Sequence, residues 1–293
     1  MNEGFLIGGG LIFVGLLLEW WAGPVVWAAL AWPVNGILLA GFLAMIGGVF
    51  LCRKWVYAFR FLGTYQAAIP AMTYAVGLTM VMGLTRQTAD GRGLSNMLTF
   101  WPFVLIYVYM ALILGLVILK RINSLSSLSS SWNHLSFLLN HLGLFLAMTT
   151  ATLGNADMQR LKMITVTGEP EWRALTQEGA IHELPMAIEL QRFIMETYDD
   201  GSPKRFASEI LVMTKSGQRI RATVDVNKPV EVEGWKIYQY GYDTQMGAKS
   251  QTSILELVSD PWLPLVYTGI YMMLAGAICM FVLGGARRER VKE

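Results

Sequence analysis

The chain contains three histidines, and two of them, His134 and His141, lie within or at the edge of one apolar segment. Seven residues correspond to nearly two helical turns, so both side chains would project from one helix face, about 10 Å apart along the axis. An ionisable side chain in a membrane segment is costly and is a functional hypothesis by default. His141 is the buried candidate, since leucine and phenylalanine surround it, whereas His134 lies beside Trp132 and Asn133 at an expected interface.

A buried imidazole at position 141 has several possible uses. It could exchange a proton, hydrogen-bond a polar neighbour on another helix, or bind a metal. Neutral imidazole is a common axial ligand of haem iron, and a flat apolar macrocycle suits a slot between helices. Residue type alone leaves these alternatives open. The third histidine, His182, is the only one in the polar part of the chain, which also lacks cysteine. One histidine is too few to build a histidine metal site there.

The composition indicates which elements must position these side chains. Of the 293 residues, 54% are hydrophobic and 15% are charged, where a soluble domain has roughly a quarter. Sixteen of the 21 acidic residues fall between Asn155 and Asp260, together with 12 of the 23 Lys and Arg. The sequence therefore predicts a membrane protein with one water-exposed domain. That domain is acidic overall, which argues against nucleic-acid binding, and no phosphate-binding or hydrolase motif is present in it.

Six segments are long and apolar enough to cross a bilayer, which needs roughly 20 residues per helix. They are Phe5 to Trp21, Val34 to Leu51, Ala67 to Leu84, Phe100 to Leu119, Trp132 to Leu153 and Leu263 to Leu283. Ala29-Leu30-Ala31 resembles a signal-peptide cleavage site, but no basic region opens the segment before it, so we expect the first span to be retained.

The basic residues predict the orientation of the spans. They cluster after the second, fourth and sixth spans: Arg53, Lys54, Arg60, Lys120, Arg121, Arg287, Arg288, Arg290 and Lys292. Both termini would then be cytoplasmic and the polar domain extracytoplasmic, in a bacterial inner membrane or a thylakoid. The expected parts are an N-terminal hairpin (1–52), a cytoplasmic loop (53–66), three core helices (67–154), the extracytoplasmic domain (155–260), and the last helix with a basic tail (261–293).

The pattern of the polar domain is typical of an all-β, sandwich-like fold. Strands are expected where β-branched runs end at turn signals: Met186 to Tyr198, Phe206 to Thr214, Ile220 to Val226, Trp235 to Tyr240 and Ser253 to Val258. Residues Gly168 to Ala180 show no period and are expected to form a loop. Tyr238, Tyr240 and Tyr242 alternate along one strand, which favours a wall of the sheet core over an aromatic surface for a flat ligand or peptide.

Several short motifs together resemble one family. His141-Leu142-Gly143 follows a basic loop, and the polar domain carries Leu184-Pro185, Tyr198, Gly201-Ser202-Pro203-Lys204, Ser208, Val226-Asn227-Lys228-Pro229 and Gly234-Trp235-Lys236-Ile237-Tyr238-Gln239; Asp260-Pro261 and Tyr267-Thr268-Gly269 open the last span. This arrangement, from about Ala67 to Arg288, resembles the ResB (CcsB) family of System II cytochrome c biogenesis.

The resemblance implies a function and a site. ResB proteins work with a CcsA-type (ResC) membrane partner to move haem outward and to promote its thioether attachment to apocytochrome c. One histidine in a ResB span is thought to ligate a haem b iron opposite a histidine of the partner. His141 is the position that matches, and His134 is a second choice. No catalytic residue is implied, so the chain would be at most a dependent subunit of a cytochrome c synthase (haem lyase) complex.

The first two spans lie outside the family's usual four-span core, and their tryptophans do not match the partner's haem-handling motif. The chain is therefore expected to need a separate partner. A structural or assembly scaffold that binds no haem is the alternative function. A small transporter has less support, because no inverted repeat or pair of broken helices is visible.

Overall fold

The computed structural model describes residues 1–88, 91–124 and 131–290, so the basic residue Lys292 lies outside the described residues. The chain forms two compact units. One comprises Met1–Asp157 with Trp262–Glu293, and the other comprises Met158–Pro261.

The first unit is helical. Its helices are α1 (Asn2–Ala22), α2 (Val34–Cys52), α3 (Tyr57–Leu62), α4 (Tyr65–Leu84), α5 (Trp101–Asn123), α6 (Ser131–Gly154) and α7 (Leu263–Arg290). Six of the described helices, all but the short α3, are long and apolar enough to cross a membrane. The six spans expected from the sequence are thus confirmed as helices, with ends that differ by a few residues.

Helix α1 packs closely on α4 and α5 through glycines. A Cβ atom at Gly4 would lie 2.5 Å from the carbonyl oxygen of Gln66, and one at Gly15 would lie 2.6 Å from the backbone nitrogen of Pro102. At the end of α1, Glu19 Oε2 accepts a hydrogen bond from the backbone N–H of Trp101, 3.2 Å away, at the first residue of α5. A carboxylate there satisfies a free N–H group and interacts favourably with the helix dipole.

Helix α2 packs against α5 and α6. Phe42 stacks on Phe145 of α6 with ring centroids 6.3 Å apart. Ile46 lies against Gly115 of α5, where an added Cβ would meet its Cδ1 at 2.7 Å. The N-terminal hairpin that the family resemblance left unexplained is therefore part of the helical core.

Asp157, just beyond the end of α6, links three segments of this unit, and we call this arrangement the Asp157 junction. Its carboxylate accepts hydrogen bonds from the Trp32 backbone N–H at 2.7 Å, the Asn35 side chain at 2.7 Å and the Trp262 indole at 2.6 Å. Asn35 is fully buried and also donates to the carbonyl of Leu153. The junction joins the start of α2, the end of α6 and the start of α7.

Helices α6 and α7 touch backbone to backbone. A Cβ at Gly143 would lie 2.5 Å from the carbonyl oxygen of Gly269, and a Cβ at Gly269 would lie 2.6 Å from that of Gly143. The buried Ser136 hydroxyl donates to the Gly276 carbonyl at 2.9 Å. Small residues permit such close approach between membrane helices, and interhelical hydrogen bonds support it.

The second unit is an eight-stranded antiparallel sheet in the order β5-β4-β3-β2-β1-β8-β7-β6. The strands are β1 (Gln159–Val166), β2 (Pro170–Leu175), β3 (Ile181–Thr197), β4 (Pro203–Thr214), β5 (Arg219–Asp225), β6 (Val230–Val232), β7 (Trp235–Tyr242) and β8 (Thr252–Ser259). Alternate residues of most strands form one apolar core, including Met163, Ile188, Leu190, Ile210, Val212, Ile237, Leu255 and Leu257. The all-β expectation is confirmed, as a single continuous antiparallel sheet.

Two expectations for this unit were wrong. Residues 168–180 include β2, which pairs with β1 and β3. Its register shifts between Glu171 and Arg173, and only Ala174 is buried, so its sequence carries no alternation. On β7 before Tyr240, the core face carries Trp235, Ile237 and Gln239, and Tyr238 lies on the opposite face.

A β-bulge on β7 explains where the tyrosines lie. The register with β8 shifts between Gln239 and Gly241, which places Tyr240 at the bulge with half of its surface exposed. Beyond the bulge, Tyr242 stacks on Phe193 at 4.9 Å. An extra residue in one strand reverses the faces of those that follow. Tyr238 and Tyr242 therefore do not share a face.

Candidate functional site

Residue spacing places His141 on a definite side of α6. Successive residues turn by about 100°, so position 141 lies roughly 160° around the helix from Gly143, which contacts α7. It lies one turn before Phe145, which packs on α2 and α5. His141 therefore belongs to the side of α6 where α2 and α5 pack, and its ring is partly exposed.

The hydrogen bonding of His141 determines which ring nitrogen is available. Nδ1 lies 2.9 Å from the backbone carbonyl oxygen of Phe137. A carbonyl oxygen can only accept, so Nδ1 carries the hydrogen and Nε2 carries the lone pair. Among the described residues, Nε2 has no hydrogen-bonding partner. This is the arrangement found for metal-ligating histidines, whose other nitrogen is fixed by a carbonyl or carboxylate.

The aromatic ring of Phe137 connects His141 with Arg121. The His141 and Phe137 rings are stacked with centroids 3.8 Å apart. The guanidinium carbon of Arg121, near the end of α5, lies 4.9 Å from the Phe137 ring centroid. Sequence reasoning treated Arg121 only as an orientation signal, because its proximity to position 141 depends on how α5 and α6 pack. The one sequence signal for this proximity is that a cation follows one apolar span and a histidine lies in the next span.

The burial expected for the two histidines is reversed: His134, expected at an interface, is buried, whereas His141, expected to be buried, is partly exposed. Only 3% of the His134 surface is exposed, and its Nδ1 is buried without a hydrogen-bonding partner among the described residues. It lies about two turns before His141 on the same face, as the spacing indicated. The two rings do not form a pair, since seven residues separate them by about 10 Å along the axis.

The donor set suits haem better than a bare metal ion. In the part of the chain that the structure describes, no three His, Cys, Asp or Glu side chains converge. A bare ion of the zinc class needs about four protein or water ligands. Haem iron already has four porphyrin nitrogens and needs only one or two axial side chains, so a single imidazole with a free Nε2 beside apolar rings fits it.

Comparison with known proteins finds similarity in the part of the chain that contains α6. Residues 116–255 match the model of the ResB-like family. The chain carries a ResB-like region. This region contains His141 and most of the β unit, so the resemblance inferred from the motifs is confirmed over this part of the chain. The match is shorter than the expected range of Ala67 to Arg288, because α1–α4, the first part of α5 and α7 lie outside it.

Two curated relatives are cytochrome c biogenesis proteins CcsB of Prochlorococcus marinus, strains NATL1A and NATL2A. Each is 28% identical to this chain over 102 residues, which are 35% of this chain and 23% of the relative. The matched segment thus spans less than a quarter of each relative's length. A solved structure of the cytochrome c haem lyase CcmF aligns over 84% of this chain and 44% of its own length, at 14% identity and a TM-score of 0.37.

Proposed function

We propose that this chain is a membrane subunit of cytochrome c biogenesis that binds haem b through His141 and passes it outward across the membrane. In this proposal it acts with a CcsA/ResC-type membrane protein, and the pair supports covalent attachment of haem to apocytochrome c. The chain supplies a binding subunit rather than a complete haem lyase. The observation that carries the proposal is the geometry of His141: its Nδ1 is hydrogen-bonded to the Phe137 carbonyl, and its Nε2 has no partner in the part of the chain that the structure describes.

The environment of His141 supports this role. Helix α6 is held on one side by the backbone contact between Gly143 and Gly269, and on the other by the stack of Phe42 on Phe145. The turn that carries His141 is therefore fixed from both sides. A fixed ring lowers the entropic cost of binding, which is the general advantage of preorganised ligands. Haem supplies the iron, and this chain supplies the imidazole, its orientation and the apolar surroundings.

The proposed topology follows from the positions of the charged residues. The described basic residues at the ends of α2 and α5 would face the cytoplasm of a bacterial inner membrane, and the β unit would be periplasmic. Haem bound at His141 would then lie inside the bilayer, between its cytoplasmic and periplasmic surfaces. The β unit, whose sequence contains the only other histidine, would contact apocytochrome c or the haem exit.

The test is haem content. The full chain is purified with and without its partner, and haem is quantified as the pyridine haemochrome. His141→Ala is expected to abolish or strongly reduce bound haem, whereas His182→Ala, on β3, is the matched histidine control and should retain it. His134→Ala separates the second-choice ligand from the first. Haem retained in full by His141→Ala would contradict the proposal, and no haem under any condition would favour the scaffold alternative.

A further inference from the structure

Two buried polar atoms of the helical unit have no hydrogen-bonding partner among the described residues. They are Nε of Arg121, on α5, and Nδ1 of His134, on α6. A third such atom among the described residues, the hydroxyl of Tyr109, belongs to a separate cluster with Ala67 and Ala71. Leaving a buried donor unpaired costs about 1–3 kcal/mol, so two at the same end of adjacent helices indicate a site for an acceptor.

Both groups are placed relative to His141 by Phe137. Arg121 lies over the Phe137 ring, and the His141 ring is stacked on the same ring. His134 is three residues before Phe137 and so lies one turn away on the same helix face. The order along this face of α6 is thus His134, then Phe137 with Arg121 beside it, then His141.

No ion pair in the described part of the chain neutralises the charge of this site. All the ion pairs among the described residues lie between residues 171 and 225, in the β unit, so Arg121 takes part in none of them. The neighbouring Lys120 donates to the carbonyl of Gly63. A guanidinium binds carboxylates through paired N–H groups, and a neutral imidazole can donate one more hydrogen bond from Nδ1.

We infer that Arg121 and His134 form a carboxylate site that binds the propionates of the haem whose iron is held by His141. The inference rests on the proposed function. Haem carries its two carboxylates on one edge of the ring, and His134 lies about 10 Å from His141 along the helix axis on the same face of α6. The propionates would thus point to the α5 end that carries Lys120, and the apolar edge would point along α6 toward Phe145.

The test compares haem with its dimethyl ester, which has the same iron and ring but no free carboxylates. Each is titrated into the full chain in lipid nanodiscs, and binding is followed in the Soret region. Wild type should bind haem more tightly than the ester by roughly 10- to 100-fold, the range expected for charge-assisted hydrogen bonds. Arg121→Gln should remove this preference while leaving ester binding unchanged, and Arg121→Lys should restore part of it. Lys54→Gln, an exposed cation of the same unit, should behave as wild type.

The outcomes separate this inference from the proposed function. If wild type binds both ligands equally well and His141→Ala binds neither, the iron ligand stands and the carboxylate site is refuted. The same conclusion follows if Arg121→Gln weakens haem and ester alike. If wild type binds neither ligand, the proposed function itself fails. Nanodiscs with and without anionic lipid complete the test, because competition by anionic lipid that depends on Arg121 would identify a lipid phosphate as the occupant instead.

Discussion

The Asp157 junction offers a direct test of how the N-terminal hairpin is joined to the ResB-like region. Substituting Asp157 by alanine removes the acceptor for three hydrogen bonds, from Trp32, Asn35 and Trp262. Each hydrogen bond to a charged group contributes about 1.5–3 kcal/mol, but the three share one carboxylate and are not additive. Asn35 keeps its bond to Leu153, and Asp157 is partly exposed, so we expect a total loss of about 2–4 kcal/mol.

The assay is thermal unfolding of the full chain in detergent, followed by tryptophan fluorescence. At about 2–4 °C per kcal/mol for a chain of this size class, Asp157→Ala should lower the midpoint by roughly 4–16 °C. Asp157→Asn keeps one acceptor oxygen and should fall between alanine and wild type. Asp199→Ala, an exposed turn residue, is the control for loss of charge alone. A midpoint for Asp157→Ala equal to that of wild type would refute the idea that this carboxylate joins the three segments.

The junction also has a pH dependence with a definite sign. Burial alone would raise the pKa of Asp157, but the hydrogen bonds from Trp32, Asn35 and Trp262 outweigh burial, and the pKa lies below its ordinary value. A carboxyl group whose pKa is lower in the folded state stabilises the protein above its unfolded pKa, and the effect is lost as the pH falls through the folded value. The difference in unfolding midpoint between wild type and Asp157→Ala should therefore be constant near neutrality and shrink in acid.

Three further outcomes are expected. Gly143→Ala would force a Cβ to within 2.5 Å of a backbone oxygen of α7 and should destabilise the helical unit by about 1–3 kcal/mol. Gly77→Ala is the control, because a Cβ there has nothing within 4 Å and should leave the stability unchanged. Equal thermal unfolding midpoints for the two variants would contradict the contact between α6 and α7. The Ser253 hydroxyl belongs to a buried hydrogen-bond network with the side chains of Ser208 and Gln239. Ser253→Ala should therefore lower the urea unfolding midpoint of the β unit by an amount equivalent to about 1–2 kcal/mol. An unchanged midpoint would show that the network does not form. A hydrogen bond from the Arg173 side chain lowers the pKa of Glu171 to about 2, so wild type should be more stable than Glu171→Gln above about pH 4.5 and should lose this advantage toward pH 2. The advantage should be about 1 kcal/mol or less, because Arg173 is half exposed. An advantage that persists at pH 2 would be inconsistent with this pairing.

The sequence predicted the elements better than their contacts. Six apolar runs of about 20 residues became six helices, because length and composition suffice to define them. Strand β2 was missed because a bulge near Glu171 removes the alternation that identifies a strand, and the bulge on β7 separates Tyr242 from the face that Tyr238 occupies. Local register irregularities of this kind depend on the neighbouring strands, which a single sequence does not specify.

The candidate site was predicted in part. Spacing placed His134 and His141 on one face of one helix, because helical geometry is local. The stack of Arg121, Phe137 and His141 joins two helices, and the Asp157 junction joins residues more than a hundred positions apart. Such contacts depend on tertiary packing, and the residue pattern of either segment alone does not predict them. The carbonyl partner of His141, four residues earlier, is by contrast an ordinary consequence of helix geometry.

The β unit begins and ends on neighbouring strands, since Gln159 of β1 is paired with Ser259 of β8. Its two chain ends are therefore a single strand spacing apart, roughly 5 Å. An inserted module with adjoining ends can grow, shrink or be exchanged among relatives without altering how far apart the flanking helices must be. The β unit can thus change in size and sequence while the helix that carries His141 keeps its place.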